Sequence, residues 1–600
     1  MSKILDEKME KMSENEQKLW ALRHTAEHVL HLAMQNLYPA LKKAMGPATN
    51  DGFYFDFDLD EKVTAEDFPK IEKEMQRIIN ANYPMIREFI TAKKARNIFK
   101  DNPYKLEWVD EIEKRGEKVS LYKMAEEEVD LCSGPHAEST GQIKAFKLLF
   151  VAGAYWHGDE KKKMLTRIYG TAFPSQKELE EFLKMKNEAE NRDHRKIGEE
   201  LELFAVNEDV GRGLILWLPK GNIIKEELEN WAKQTEKKWN YQRVTTPNIT
   251  KSGLYYTSGH LPYYQKDMYP PMKLDDGEEY YLKPMNCPHH HMIYKSRMRS
   301  YKELPLRLAE YGTCYRYEAS GELFGMMRVR GFTQNDSHIY CTVEQAVDEF
   351  LDVMKLHEYY YQSLGINKYH LELALRDPNN KEKYHGDEKM WNLAEELMRK
   401  AVEKTNIKMV TQIGNAAFYG PKIDFIVHAV TGREFAVSTN QIDLFMGKRF
   451  GLDYVDQNGK TQTPVIIHRA PLGSHERFIG FLIEQFGGAF PLWLSPIQIK
   501  LVPISDRHVD FAEKIKNILA EENLRVEIDN RAETMQSKIR DAQNQKIPYM
   551  LIFGDREINQ NKIAVRTRGE GDIGQMAVGE FKKRVLEEIE TKSLKLMGKS

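Results

Sequence analysis

From about residue 205 to 495 the sequence sets down one strand-like segment after another: RVTTPNI, EEYYLKPMN, LPLRLAEYGTCYRYE, RVRGFTQNDSHIYC, AFYGPKIDFIVHAV, REFAVSTNQIDLF and TPVIIHRAPLG. Each is rich in β-branched and aromatic residues and bounded by turn formers. Several neighbours are joined by links too short for a parallel crossover, so this stretch is expected to form a largely antiparallel sheet. SHERFIGFLIEQFGG then reads as a helix packed against it.

The flanks have other rhythms. LWALRHTAEHVLHLAMQNL (19–37) has apolar residues at helical spacing and ends just before Pro39. GFYFDFDLD alternates like a strand, and mixed α/β character continues to 185. NEAENRDHRKIGEELELF (187–204), dense in charge, predicts a linker helix over 186–204. After 495, strands such as IKLVPI and YMLIFG alternate with helices, as in a compact α/β domain with mainly parallel pairing. The expected organisation is a charged segment over 1–18, domains over 19–185, 205–495 and 496–600, and the linker between the first two. The fold class is α+β multidomain, and 600 residues are far more than one core serves.

Composition narrows the setting. No apolar run is long enough to span a bilayer, and the N-terminal residues lack a signal-peptide h-region. Four cysteines (Cys132, Cys287, Cys314, Cys341) are too few for a disulfide framework at this size, so a cytoplasmic, reducing compartment is expected. Net charge is −3, so any nucleic acid must be bound through local basic patches.

GTCYRYEASGELFGMMRVRGFTQ holds Arg316, Glu318, Arg328 and Arg330 on two strands joined by a long loop, and GSHERF puts Arg477 in the first turns of a helix. Guanidinium groups bind phosphate oxygens in a fork and stay charged, so arginines fixed on a sheet can hold a triphosphate. No G-x-x-x-x-G-K-[ST] stretch occurs, which excludes a P-loop. Taken singly, each arginine reads as a surface ion pair. MNCPHHHMIY (285–294) offers a cysteine beside three histidines, but local spacing does not choose a ligand set among them. RHTAEH puts His24 and His28 on one helix face, and DLCSGPH adds Cys132 and His136; the four read as a zinc set.

In combination, the arginine-bearing loop with RGFTQND and the later GSHERF resemble motifs 2 and 3 of the class II aminoacyl-tRNA synthetases. Pro247, closing RVTTPNI, resembles the motif 1 proline found at their dimer interface, which implies a homodimer. RDHRKIGEELELF, KPMNCP, LPLRLAEYG, MRVRGFTQ, AFYGPKIDF and GSHERFIG together are similar to one family of that class, the threonyl-tRNA synthetases, from about residue 20 to near the C-terminus.

The resemblance implies a class II antiparallel-sheet catalytic core, an α+β editing domain and an α/β anticodon-binding domain. It implies L-threonine, ATP with Mg2+ and tRNA(Thr) as substrates, no membrane, and one catalytic Zn2+ per subunit. The zinc ligands match Cys287, His338 and His468, leaving His289, His290 and His291 as bystanders; the family usually has glycine at the position of His289. The amino group and hydroxyl of threonine would fill the ion's open position, with Asp336, Gln334, Tyr419 and Lys422 around them. Arg316, Arg328 and Arg477 match ATP-phosphate residues, with Phe332 stacked on adenine and Glu318 reading its edge. His260 and Gln441 match residues near the reacting groups. Serine has the hydroxyl and lacks only a methyl, worth roughly 1–3 kcal/mol, too little discrimination for translation. The resemblance therefore implies hydrolysis of seryl-tRNA at His24, His28, Cys132 and His136 without metal, with Asp130 and Lys105 beside them. Glu557 and Arg566 match anticodon readers, and Ala532 stands where the family often has asparagine. Many bacterial relatives begin with a small β-grasp domain; only a short charged segment precedes Trp20, so that module is expected to be missing.

Overall fold

A computed structural model describes residues 9, 12–124, 128–159, 161–380, 383–384, 388–405, 407, 409–429, 432 and 434–598. Most of the charged segment expected over 1–18 lies outside them. The chain divides into two compact units, Met1–Lys186 and Asn187–Ser600.

The first unit is built on the helix Glu14–Leu37. Ser13 starts it with reciprocal capping: its hydroxyl accepts from the Glu16 amide at 3.4 Å, and the Glu16 carboxylate accepts from the Ser13 amide at 2.7 Å. Its apolar face buries Val29, Leu30 and Ala33 against Phe53, Phe55 and Phe57 of a four-stranded antiparallel sheet. A smaller antiparallel sheet, Met85–Ile90, Val119–Met124 and Glu128–Leu131, carries Asp130 and leads straight into Cys132. This is the α+β arrangement the sequence predicts.

The second unit holds an eight-stranded sheet: β1 (Gln242–Arg243), β2 (Leu306–Tyr315), β3 (Gly331–Cys341), β4 (Tyr369–Leu375), β5 (Met409–Ile413), β6 (Lys422–His428), β7 (Glu434–Asp443) and β8 (Val465–Ala470). Their order across the sheet is β1-β2-β3-β8-β7-β6-β4-β5. Only β1–β2 and β4–β5 pair in parallel; the other five pairings are antiparallel. The registers place Leu308, His338, His468, Gln441, Lys422 and Ala374 in one row across six strands. Side chains of one row share a face of the sheet. The helix Cys287–Lys295 supplies Cys287, and His475–Phe486 carries Arg477.

Three expectations shift. RVTTPNI is not one strand: pairing stops after Arg243 and resumes at Ile249, because Pro247 has no N–H to offer a ladder. The linker is two helices, Gln176–Asn191 and His194–Glu200, the second restarted by Asp193, whose carboxylate accepts from the Arg195 amide at 2.8 Å. The C-terminal sheet is mixed rather than mainly parallel: Ile499–Pro503 pairs in parallel with Val526–Ile528 and Tyr549–Phe553, and Ile563–Thr567 and Gly571–Met576 then join antiparallel. A tight turn joins those last two strands, and a link that short permits only antiparallel pairing.

Beneath the large sheet Arg469 is 1% exposed. Its Nη1 lies 2.9 Å from Glu236 Oε1, its guanidinium sits 4.1 Å over the Tyr241 ring, and Asn335 Nδ2 donates to the same Glu236 oxygen at 2.9 Å. Glu236→Ala strands this guanidinium without its counter-charge. The substitution is expected to lower unfolding free energy by about 3–5 kcal/mol, read as a lower denaturant midpoint; an unchanged midpoint contradicts it.

Candidate functional site

A cavity of about 740 Å³ opens on the face of the sheet that carries the His338 row. Its walls include Cys287, His338 and His468, the pocket residues Gln334, Asp336, Tyr419, Lys422 and Gln441, and Arg316, Glu318, Arg328, Phe332 and Arg477. Fourteen residues were expected at this site through their motifs, and thirteen of them, all but His260, line this one cavity.

One donor atom each from Cys287, His338 and His468 lie within 4.8 Å of one another, and all three residues are buried. His468 Nε2 lies 3.1 Å from Asp443 Oδ2, and Asp443 Oδ1 accepts from the amides of Phe445 and Met446 at 2.7 and 2.8 Å. That carboxylate holds the proton on Nε2 and leaves Nδ1 as the free lone pair. Burial, Asp336 and Asp443 push the Cys287 thiol well above its ordinary range, while burial and the neighbouring imidazoles keep His338 neutral. A divalent cation stabilises the thiolate that these surroundings disfavour, and neutral imidazoles are what it binds. The donor set fits a zinc ion with an open position.

Asp336 Oδ2 accepts from Asn286 Nδ2 at 2.9 Å, while burial raises its pKa. Asn286 approaches because position 312 is glycine: a Cβ there would lie 2.1 Å from Asn286 Oδ1. The Tyr419 hydroxyl donates to Gln441 Oε1, and Lys422 pairs with Asp424.

The arginines do not stand free. Arg316 lies 5.1 Å over the Phe332 ring and donates to the Pro284 carbonyl at 3.3 Å. Arg328 contacts Glu318 at 2.8 Å and Glu322 at 2.7 Å. Arg477 donates to the Met327 carbonyl at 3.0 Å, and burial together with the charges of Arg316 and Arg328 lowers its pKa. Three guanidinium groups at one cavity form a strong anion site. Behind them, His194 Nδ1 meets Glu484 Oε1 at 2.8 Å, and its Nε2 accepts from the Met326 amide at 3.1 Å, steadying the turn that presents Met327.

His260 does not line the cavity. It is buried, with Nδ1 2.7 Å from Ser258 Oγ and Nε2 3.1 Å from the Met285 sulfur, and burial holds its pKa down to about 3. Met285 forms the cavity wall in front of it. At the C-terminal sheet, Glu557 accepts from the Gly554 amide at 3.0 Å and from Gln575 at 2.8 Å, and Arg566 lies on the strand Ile563–Thr567.

In the first unit, His24, His28, Cys132 and His136 also offer ligand atoms within 4.8 Å of one another. Here the sulfur is already satisfied: it lies 3.4 Å from His24 Nε2 and 3.2 Å from His136 Nε2, and it accepts from the Gly134 amide at 3.3 Å. Burial opposes ionisation, yet the charge of His24, whose pKa is raised, and contacts with the His24 and His136 rings hold the Cys132 thiol well below its ordinary range; burial pushes His136 itself down to about 3. Behind lies a charged layer of which the sequence reading named only Lys105 and Asp130. Lys43 pairs with Glu128 at 3.0 Å, Lys105 with Asp130 at 2.7 Å, and His31 contacts both Glu27 and Asp130. His28 Nδ1 faces Glu128 at 3.5 Å. His28, His31, Glu128 and Asp130 have metal-like spacing, but the two ammonium groups already neutralise two of their carboxylates.

Comparisons with known proteins agree with this geometry. Residues 271–486 match the family model "tRNA synthetase class II core domain (G, H, P, S and T)", 498–588 match "Anticodon binding domain", and 119–169 match "Threonyl and Alanyl tRNA synthetase second additional domain". Together with the sheet and its arginine-lined cavity, these define a class II aminoacyl-tRNA synthetase. A threonine–tRNA ligase of Staphylococcus carnosus is 47% identical over 96% of this chain and 89% of its own length; one of Thermus thermophilus is 46% identical over 95% and 89%. A solved RNA-binding domain of threonyl-tRNA synthetase from Cryptosporidium parvum is 34% identical with a TM-score of 0.63, covering 66% of this chain and 98% of that one. The chain belongs to the threonine–tRNA ligase family, whose members join threonine to tRNA, and it carries that family's editing domain. Among the described residues no helix is long and apolar enough to cross a membrane.

The Cys132 environment can be tested directly. An ordinary thiol with a pKa of about 8.5 loses nearly a hundredfold of its thiolate between pH 8 and pH 6. Because the Cys132 pKa is depressed, its thiolate persists as pH falls. Its alkylation by iodoacetamide, followed by peptide mass spectrometry, is expected to slow far less than that. A rate falling in proportion to proton activity contradicts the assignment.

Proposed function

We propose that the chain activates L-threonine at the cavity and removes mischarged serine at the His24 cluster. The observation that carries this reading is the single row of His338, His468, Gln441 and Lys422, lining one cavity together with a buried cysteine and three arginines.

In activation, a carboxylate oxygen of threonine attacks the α-phosphorus of ATP; the new P–O bond forms as the bond to pyrophosphate breaks. Arg316 neutralises the α-phosphate and the incoming carboxylate. Arg477 takes the γ-phosphate, and Arg328 exchanges Glu318 and Glu322 for phosphate oxygens, with magnesium entering on ATP. Glu318, released, reads the adenine edge while the base takes the face of Phe332. All of this is positioning and charge stabilisation, with no side-chain nucleophile. Cys287, His338 and His468 would hold a zinc ion, which would supply Lewis-acid binding of the amino group and hydroxyl of threonine, its coordination expanding to five. Asp336 accepts the hydroxyl hydrogen bond, so valine, which leaves these groups unpaired, is rejected by orders of magnitude. In transfer, the terminal ribose hydroxyl attacks the adenylate carbonyl carbon, the ester bond forms and the bond to AMP breaks; His260 takes the hydroxyl proton once Met285 moves aside, and Gln441 and Tyr419 hold the acyl group.

Serine meets every polar requirement of this pocket, so hydrolysis elsewhere is needed. His24, His28 and His136 with Cys132 orient water and the seryl ester; Lys105, fixed by Asp130, takes part in binding it. The self-contained pairing of Cys132 with two imidazoles supports a metal-free site. Glu557 and Arg566 read anticodon bases, and the working molecule is a cytoplasmic homodimer.

ATP–pyrophosphate exchange tests activation: threonine is expected to be fast, serine slower and valine nearly silent, with about one zinc per chain. Arg316→Ala should lower threonine-dependent exchange by about 10²–10³-fold; intact exchange removes Arg316 from the mechanism. His24→Ala should abolish hydrolysis of seryl-tRNA while leaving exchange unchanged. Continued hydrolysis in that variant rules out the editing assignment.

A further inference from the structure

Two histidines of the MNCPHHHMIY stretch have no bond to the ligand set, but His290 does. It is fully buried on the helix Cys287–Lys295, and its Nδ1 lies 2.8 Å from His338 Nδ1. Two ring nitrogens this close need one hydrogen between them: one donates and the other accepts. The other nitrogen of His290, Nε2, makes no aligned hydrogen bond, and Glu310 Oε1 lies 3.3 Å from it. A buried carboxylate at that distance favours a proton on Nε2. With its ring hydrogen on Nε2, His290 presents a bare Nδ1, and His338 must carry its own hydrogen on Nδ1. That leaves His338 Nε2 as a lone pair. In the opposite arrangement His338 would carry its hydrogen on Nε2 and could not bind a cation there.

Glu310 is itself fixed. Its Oε2 accepts from the Thr246 amide at 2.9 Å, its Oε1 accepts from the Thr246 hydroxyl at 2.7 Å, and Lys283 Nζ lies 3.5 Å from Oε1. Glu310 and Asp336 are directly opposite in the β2–β3 register, so the same strand pair sets both the carboxylate and the pocket. His468 receives its orientation from Asp443 in one step; His338 receives its own in two.

We infer that His290, held by Glu310, is a positioning residue that fixes the ring hydrogen of His338 and so makes His338 Nε2 available to the zinc ion. His290 is thereby no bystander. The inference rests on the reading of Cys287, His338 and His468 as zinc ligands. Outer partners of metal-binding histidines typically change metal affinity by about 10–100-fold when removed.

The test measures zinc directly in the full-length protein, by competition with a colorimetric chelator and by the visible spectrum of the cobalt(II)-substituted form. His290→Leu, which cannot accept the hydrogen, is expected to weaken zinc by about 10–100-fold and to reduce the cobalt d–d bands. His290→Gln, whose amide oxygen can accept it, should recover most of the affinity. Glu310→Gln should weaken zinc in the same direction, and it carries the test if the leucine variant does not fold. His289→Ala, whose ring nitrogens have no hydrogen-bond partner, is the control expected to match the parent protein. Zinc held equally tightly by the parent, H290L and E310Q overturns the relay alone. A parent protein that binds no zinc overturns the metal reading and the relay with it.

Discussion

The pairing of β2 with β3, and of β3 with β8, is the constraint on which the active site depends. Backbone hydrogen bonds lock His338 opposite His468, and the next two pairings add Gln441 and Lys422 to the same row. Strands lie about 4.8 Å apart, so neighbouring side chains in a row meet without any loop having to close. Polar groups in such a row are costly to bury unless each finds a partner. The partners are present: Asp443 for His468, His290 for His338, Asn286 for Asp336, Tyr419 for Gln441. Each comes from an adjoining strand end, helix or turn, so the surrounding elements hold the row as firmly as the sheet does.

The two cysteine–histidine clusters show how the same donors can be tuned to opposite ends. At Cys287 burial and two carboxylates favour the thiol, and only an added cation makes a thiolate stable there. At Cys132 the protein supplies the positive charge itself, through His24, whose pKa is raised, while His136, pushed down to about 3, contributes a hydrogen-bond partner. Spacing and residue type treat the two clusters alike. Electrostatic surroundings separate them: one set is short of positive charge, and the other has its own. A layer of lysine–carboxylate pairs behind His28 adds to the difference, because it leaves little unbalanced negative charge for a dication to meet.

Much of this was legible in the sequence where chemistry follows local pattern. The antiparallel core came from strand-like runs joined by short links, and the helices bearing His24, His28 and Arg477 came from apolar spacing. The gathering of Cys287, His338 and His468 did not: they stand 51 and 130 positions apart, and no local spacing encodes a register between β3 and β8. Only the family's motifs carried that information. The supporting residues were missed for the same reason. Asp443 and Glu310 sit on strands in positions that alternation marks merely as inward-facing, Glu27 and His31 interrupt a helix read by its apolar spacing, and Glu128 closes a run of three glutamates. The part assigned to His260 was also incomplete, since sequence similarity cannot show that Met285 stands between it and the cavity.

The row of polar side chains also sets where this protein can tolerate change in length. Alternate residues of β3 face opposite sides, so one inserted residue before Gln334 would carry Gln334, Asp336 and His338 together into the apolar layer beneath, and bring Asn335, Ser337 and Ile339 into the cavity. The strand has no graded failure of that kind, whereas an insertion in an exposed connection away from the cavity leaves the register intact. Evolution of this pocket is thereby confined to exchanging one side chain at a time on a fixed lattice, and diversity in chain length must accumulate in the connections instead.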